Sequence, residues 1–447
     1  MPAARTFQLL GLITLLLVAS FLDARLAWAA LALDVLLAAA ALADWRRAAA
    51  TPLTAARRWP SLLVQGAPGE VEVHVATTAT TAAPVTALLR EGLHPGLADS
   101  PLRRLLTIQG PSEVRWTYTL TPRRRGEHAS GPLTARVLGP WQLAWTQREL
   151  LPGQAVRVYP QVRWEGKVGQ LLALAQRRRL GQVPLRLHGV GTEPYALREY
   201  LPGDPLTKIH WKATARHGRL VTREETWERS ARLVVLLDCA RAMASMDGRR
   251  SKLDYAVAAT LALTRVAAAR GDQVTVVAFA DRVLRTVRVR SGGRGVGLAY
   301  GALYDVEARL AEPAYDLAAE AVFEVEARSA TAVLLTSVVD LAAAELLRES
   351  LLRLGRRHRA LLVNLEDPEL RELASAPPAT PAQAFAQVAS LEMQLANRRL
   401  ARHLRRGGVQ VVNSPADRLA LETLEAYLAV FRGVTKPSAP TPKRAKV

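Results

Sequence analysis

Cysteine is almost absent from this chain of 447 residues, which contains only Cys239. A single thiol excludes an internal disulfide framework and is consistent with a reducing compartment. Aromatic residues are also scarce, at 5%, but hydrophobic residues as a whole make up 49% and charged residues 22%. This composition excludes a mostly disordered chain and predicts two or three domains with hydrophobic cores.

Acidic residues are too few to balance the basic ones. The chain has 40 Asp and Glu against 60 Lys and Arg, which gives a formal net charge of +20. Such an excess suggests an acidic partner, either anionic membrane lipid, nucleic acid or an acidic protein, although an arginine-rich composition explains part of it. No known nucleic-acid motif occurs, so we predict anionic lipid contacts and no nucleic-acid binding.

Two long apolar stretches lie near the N-terminus, at residues 6–22, which carry no charge, and at residues 26–43, where Asp34 is the one ionisable side chain. Each stretch is near the minimum length for crossing a bilayer. Only three residues separate them, which predicts a transmembrane helical hairpin over residues 1–47. We also expect Thr14, at the same depth, to form a hydrogen bond with a protonated Asp34.

Positive charges flank both ends of the predicted hairpin. Arg5 precedes it, and the pairs Arg46-Arg47 and Arg57-Arg58 follow it. Because positive flanks remain on the cytoplasmic side, we predict an inner-membrane protein with both termini in the cytoplasm.

Residues 61–160 show alternation of apolar and polar side chains with a period of two. Turn residues separate the alternating segments, a pattern typical of a small β-sandwich. The clearest predicted strands are residues 71–75, 114–120, 133–137 and 155–159.

Residues 161–230 are interpreted as a connector that contains a dense polar stretch at 198–216. This stretch favours a buried salt-bridge network of Arg198, Asp204, Lys212 and Arg216 that locks two domains together, and an active site is the open alternative. It has no nucleophile beside a matched base, no phosphate loop, and no zinc-type spacing around His210 or His217. The motif residues are Arg198, Glu199, Tyr200, Gly203, Asp204, His210, Trp211, Lys212 and Arg216.

Residues 231–433 alternate apolar strands with helical segments, which predicts an α/β fold with a doubly wound sheet. The run from Leu233 to Leu237 is typical of a buried parallel strand and ends in Asp238, where such folds gather ligands. Further strands are predicted at residues 274–280, 283–290, 332–335, 360–365 and 409–412. Residues 434–447 are expected to form a disordered basic tail.

The order of these features resembles the bacterial family called domain of unknown function 58. The most specific match is the R-E-Y-x-P-G-D motif at 198–204, with further similarity at 209–213, 356–358 and 367–370. The resemblance implies a von Willebrand factor A-like domain. It also implies a partner, either a cytoplasmic AAA+ ATPase of the MoxR type or another von Willebrand-type protein.

A metal site of the D-x-S-x-S type would need hydroxyl ligands that this chain does not provide. Asp238 is present, but Ala240 and Ala242 replace the two serines, and Ser337 stands where an aspartate is common. Because alanine cannot bind Mg²⁺, we predict no bound metal and no cofactor. Asp238 would then cap the next helix or pair with Arg241, and Cys239 would be a buried small hydrophobic residue.

These observations favour a non-enzymatic, membrane-anchored scaffold or interaction protein that works with a MoxR-type ATPase in the assembly or activation of other proteins. The alternatives are an enzyme with its active site in residues 198–216, or a basic membrane protein that binds nucleic acid.

Overall fold

The protein is described by a computed structural model covering residues 1–21, 23, 25–78, 84–98, 101–162, 166–179, 194–200, 209–225, 231–248, 250–289 and 293–430. The predicted basic tail at 434–447 lies outside the described residues. The chain divides into two compact units, Met1–Gln161 and Val162–Val447. The mixed α/β fold class predicted from the sequence is confirmed.

The first unit begins with two apolar helices that pack against each other, α1 (Ala4–Ala19) and α2 (Arg25–Ala50). Helix α2 is long and apolar enough to cross a membrane, with a mean hydropathy of 2.2 over 18 residues, whereas α1 is a shorter apolar helix. The predicted hydrogen bond between Thr14 and Asp34 is wrong. The Thr14 hydroxyl donates to the carbonyl of Leu10 at 2.8 Å, because this carbonyl lies one helical turn back along α1.

Ten strands follow in the described part of the first unit. Strands β1, β3 and β6 form one antiparallel sheet, β5, β4, β8 and β9 form another in that order, and β2, β10 and β7 form a small third sheet. Alternate side chains of β3, β6, β8 and β10 share one hydrophobic core, and these are the four strands expected from the period-two pattern, which are confirmed. The strands are β1 (Leu53–Arg58), β2 (Leu63–Val64), β3 (Gly69–Thr77), β4 (Val85–Glu91), β5 (Leu102–Ile108), β6 (Ser112–Leu120), β7 (Gly126–Ala129), β8 (Leu133–Leu138), β9 (Trp145–Leu151) and β10 (Ala155–Tyr159).

Asp44 attaches α2 to the loop between β8 and β9. Its fully buried carboxylate accepts hydrogen bonds from the backbone N–H groups of Trp141 and Leu143, both at 2.8 Å, and of Ala144 at 3.0 Å. The guanidinium of Arg47 lies 4.3 Å from the centre of the Trp141 ring. Three backbone donors that would otherwise be buried and unpaired are therefore satisfied by one side chain.

The N-terminus reaches the same loop. The backbone N–H of Ala3 donates to Leu143 O at 2.8 Å, and the N–H of Trp145 donates to Met1 O at 2.7 Å. The start of α1 and the end of α2 thus both contact the loop between β8 and β9.

The second unit begins with α3 (Lys167–Arg179), β11 (Pro194–Glu199), α4 (Trp211–His217) and β12 (Val221–Glu225). The interpretation of this region as an exposed connector is wrong for α3, which packs against the main hydrophobic core. Val168, Leu172 and Ala175 are buried there because their spacing of four and three residues places them on one helix face. Strands β11 and β12 pair antiparallel.

The remaining elements build a six-stranded sheet in the order β17-β16-β13-β18-β19-β20, in which β17 is antiparallel to β16 and the other neighbours are parallel. The six strands predicted for this half are confirmed. The strands are β13 (Arg232–Asp238), the short β14 (Met246–Asp247) and β15 (Arg250–Ser251), then β16 (Gln273–Phe279), β17 (Val283–Val289), β18 (Thr331–Thr336), β19 (Arg359–Leu365) and β20 (Gln410–Ser414).

Helices cover both faces of this sheet. The core on one face includes residues of α3, α5, α6 and α11, and the core on the other includes residues of α7, α8 and α10. Burial on both faces explains why the central strands are continuous apolar runs. The helices are α5 (Lys252–Arg270), α6 (Gly293–Leu303), α7 (Tyr315–Val325), α8 (Leu341–Gly355), α9 (Pro368–Ser375), α10 (Pro381–Arg406) and α11 (Leu419–Val430).

Candidate functional site

The structure describes only part of the polar motif at residues 198–216. Gly203, Asp204 and the side chain of Arg198 lie outside the described residues. The Glu199 carboxylate lies 3.4 Å from the guanidinium of Arg219, and both side chains are well exposed, so this pair contributes little to stability. Tyr200 is half-buried, and its backbone N–H donates to Leu220 O at 2.9 Å.

His210 has a local structural role. Its Nδ1 accepts the backbone N–H of Ala213 at 3.1 Å, which caps the start of α4. Trp211, Lys212 and Arg216 are exposed. The predicted buried network is therefore wrong for Lys212 and Arg216, since α4 is short and buries Ala213 while its charged residues face solvent.

Asp238 is fully buried at the carboxyl end of the central strand β13. Its Oδ1 accepts the backbone N–H of Ala240 at 2.8 Å, and its Oδ2 accepts the hydroxyl of Thr336 at 2.5 Å. Tyr315 in turn lies 3.0 Å from the Thr336 oxygen. Burial raises the pKa of the Asp238 carboxyl to about 6, although these hydrogen bonds oppose the increase.

The predicted ion pair between Asp238 and Arg241 is wrong. Arg241 pairs instead with Glu312 at 2.8 Å and with Asp340 at 3.7 Å. This arrangement is favourable because it leaves the guanidinium in contact with water, whereas pairing with the fully buried Asp238 would require it to lose that contact. Cys239 is fully buried, as expected for a small hydrophobic residue.

The donor set around Asp238 does not fit a divalent ion. Ala240 and Ala242 carry no oxygen ligand, and both Asp238 oxygens already accept hydrogen bonds from the protein. Within the described residues, no group of three or more His, Cys, Asp or Glu side chains could hold a metal ion.

A buried lysine lies at the carboxyl ends of the central strands. Lys252, the first residue of α5, is only 1% exposed, and its Nζ donates to Ser337 Oγ at 3.1 Å and to Asp367 Oδ2 at 2.6 Å. The Ser337 hydroxyl donates onward to Leu365 O at 3.1 Å. Partial burial acts to raise the pKa of Asp367, but its hydrogen bond and charge interaction with Lys252 outweigh this and lower it.

Sequence reasoning missed Lys252. Its one signal is the S-K-L-D sequence, in which Ser251 and Asp254 form a capping box that starts α5 and so places Lys252 at the sheet edge. Asp367 lies in the D-P-E-L segment, where its Oδ1 also caps α9 by accepting the N–H of Glu369 at 3.0 Å.

A cleft of about 280 Å³ opens beside this ion pair, between α9 and α10 at the carboxyl ends of β19 and β20. Its wall includes Asn364, whose amide oxygen accepts the N–H of Val338 and whose amide NH2 donates to Asn413 Oδ1. The wall also includes Asn397, whose buried Oδ1 has no hydrogen-bond partner among the described residues. Leu365, Leu370 and Met393 contribute apolar surface. Clefts at this edge are where α/β folds commonly bind other molecules.

The fold and this edge define a mixed α/β protein in which internal hydrogen bonds and a buried ion pair close the strand ends. Residues 196–380 match the model of the family described as protein of unknown function DUF58. This region of the chain therefore carries the domain of that family, and the resemblance seen in its motifs is confirmed. The matched region contains the polar motif, Asp238, Lys252 and Asp367.

No curated protein matches the sequence. Among solved structures, BatB from Bacteroides thetaiotaomicron is 13% identical and covers 45% of this chain and 99% of its own, with a TM-score of 0.30. The CARDB domain of the PF1109 protein from Pyrococcus furiosus is 18% identical and covers 24% of this chain and 93% of its own, with a TM-score of 0.19. Similarities at these TM-scores are too low to support an argument about function.

Proposed function

We propose that the protein is a membrane-anchored, non-enzymatic scaffold whose α/β unit binds a cytoplasmic AAA+ ATPase of the MoxR type or another von Willebrand-type protein. The observation that carries this proposal is that the polar side chains at the carboxyl ends of the central strands are paired with each other inside the protein. Asp238 is sealed by Ala240 and Thr336, and Lys252 is neutralised by Asp367. Among the described residues, both Asp238 and Lys252 are held by internal partners, so this edge and the cleft beside it offer a preformed surface for recognition rather than a free acid–base pair.

The sheet order and the metal-site positions support the finer assignment to a von Willebrand factor A-like, doubly wound fold. Helices α1 and α2 support the assignment of a transmembrane hairpin in the inner membrane, with both termini in the cytoplasm. Both outer ends of the pair contact one loop of the β-rich unit, as a hairpin requires. The positive flanks of the hairpin and the net charge of +20 support contact with anionic lipid.

The enzyme alternative receives no support from the described part of the 198–216 stretch. His210 uses Nδ1 to cap α4, and Lys212 is exposed rather than directed into a pocket with it. The nucleic-acid alternative rests on the basic charge and on a few exposed motif residues such as Trp211 and Lys212, and the sequence contains no known nucleic-acid-binding motif that would add to it.

The test is co-purification of the full chain, solubilised in detergent, with the MoxR-type ATPase of the same cells. Arg241→Glu reverses a charge on the rim of the closed edge and should reduce recovery of the ATPase about tenfold. Arg348→Glu on α8 is the matched control, because Arg348 is also ion-paired and lies outside the rim. If the wild type recovers neither the ATPase nor a von Willebrand-type protein, the proposal is wrong.

A further inference from the structure

The outward side of α10 combines two kinds of exposed side chain. In its first half, apolar residues follow at spacings of three, three and four, and Phe385 is 78% exposed. In its second half, the same side carries exposed arginines. We call this surface the α10 outer face, and it consists of Phe385, Val388, Leu391, Leu395, Arg398, Arg399, Arg402 and Arg406.

The α10 outer face lies opposite the side by which the helix packs on the protein. The buried residues of α10 are Ser390, Leu400, Ala401 and Leu404. At 3.6 residues per turn, the exposed apolar residues and arginines centre on the opposite side of the cylinder. The apolar half extends about 15 Å along the axis, so it is a continuous strip rather than scattered single residues.

The arginines of this face are available to a partner. None of Arg398, Arg399, Arg402 and Arg406 forms an ion pair within the described residues. Within the sequence of α10, Glu392 is the one acidic residue, so the arginines of this face outnumber the carboxylates of their own helix by four to one. An occupant must therefore bring apolar side chains at one end and carboxylates at the other.

We propose that the α10 outer face binds an acidic amphipathic helix of a partner protein. This inference rests on the proposed scaffold function and names the chemistry of its partner. Apolar side chains of the partner helix pack against Phe385, Val388 and Leu391, and its carboxylates pair with the arginines further along. Such an order along the axis also fixes the direction in which the partner helix lies.

Three other occupants fit less well. A bilayer binds helices whose charged side lies opposite the apolar side, whereas here both lie on the same side, so the arginines would enter the lipid to the same depth. A second copy centred on the apolar half would place arginines beside the positive N-terminal end of the other α10. The basic segment at 436–446 carries charge of the same sign as the arginines.

The test is photocrosslinking of the full chain in the cells that naturally make it. Phe385→p-benzoylphenylalanine places the crosslinker in the apolar half, and Leu310→p-benzoylphenylalanine is the matched control, since Leu310 is exposed in the same unit but away from α10. We expect crosslinks from position 385 alone, mapped by mass spectrometry to a helical segment of another protein rich in Asp and Glu. Adding Arg399→Glu and Arg402→Glu should lower their yield about fivefold.

Crosslinks to lipid, to a second copy of the chain, or to residues 1–161 of the same chain would each overturn the proposal. So would a non-acidic partner segment, or a crosslink pattern equal to that of the control. The outcome is separable from that of the scaffold proposal. Recovery of the ATPase without a crosslink at 385 rejects only the α10 site, and a crosslink to a different protein rejects only the ATPase as partner.

Discussion

Asp238 occupies a site in which its negative charge is disfavoured. Burial raises its folded-state pKa to about 6, compared with an ordinary value of 3.8. Between these values the unfolded chain has lost a proton that the folded protein retains. The stability associated with the neutral carboxyl is therefore complete below about pH 4 and is lost as the pH rises through about 6.

We expect Asp238→Asn to remove this pH dependence, because asparagine stays neutral and keeps the shape of the side chain. Relative to the variant, the wild type should lose up to about 3 kcal/mol of unfolding free energy between pH 4 and pH 7. Guanidinium unfolding of the detergent-solubilised chain at both pH values measures this difference. Asp281→Asn, an exposed control, should follow the wild type, and identical pH profiles for all three proteins would contradict the assignment.

Lys252 and Asp367 form the second residue-scale test. Asp367→Asn preserves the oxygen that caps α9 but removes the charge that neutralises a buried ammonium, so it should destabilise the protein by about 3 kcal/mol. Lys252→Met in the same background should restore part of this loss, because it removes the unpaired charge. A double-mutant cycle of unfolding free energies measures the coupling, and additive effects would show that the two side chains do not depend on each other.

At the scale of elements, the sequence predicted those strands and helices whose burial is reflected in the local spacing of apolar residues. The strands of the six-stranded sheet were predictable because burial on both faces requires continuous apolar runs, such as that of β13. Helix α3 was missed because its apolar segment is short and is followed directly by Arg177 and its basic neighbours, which suggested an exposed linker. Its burial depends on contact with α5, which no local pattern reports.

The attachment of α2 to the β-rich unit is also an element-scale feature, and it depends on one carboxylate and one glycine. A Cβ atom at Gly139 would lie 2.3 Å from the Asp44 carboxylate. Gly139→Ala should therefore displace Asp44 from the backbone N–H groups of Trp141, Leu143 and Ala144.

We expect Gly139→Ala and Asp44→Ala each to destabilise this attachment by about 2–3 kcal/mol, since buried donors are left unpaired. Limited proteolysis in detergent measures the effect as faster cleavage between α2 and β1. Gly110→Ala is the control. It also replaces a glycine, but a Cβ atom at this position meets open space, and its cost comes only from the positive backbone φ of 60°, so cleavage between α2 and β1 should stay at the wild-type rate. Cleavage of the Gly139 and Asp44 variants at the wild-type rate would mean that the carboxylate does not hold the helix.

At the scale of the whole molecule, the candidate site was only partly predictable. Asp238, the alanines at 240 and 242, and Ser337 could be placed from the end of a predicted strand and from family motifs. Lys252 could not, because its charge is brought to Asp367 across 115 residues of sequence by the sheet topology. The α10 outer face was also missed, since a helix with apolar residues on its exposed side looks like a core helix until its packing is known.

The orientation of the chain in a membrane can be tested by labelling introduced cysteines, because the chain has only one cysteine of its own. Cys239 is fully buried, so Asp23→Cys in the exposed turn after α1 introduces a single accessible thiol, and Leu310→Cys does the same in the α/β unit. If the hairpin spans the inner membrane with both termini inside, a membrane-impermeant maleimide should label position 23 in intact spheroplasts. Position 310 should react only after permeabilisation. The reverse pattern would place the α/β unit outside, where a cytoplasmic ATPase could not reach it.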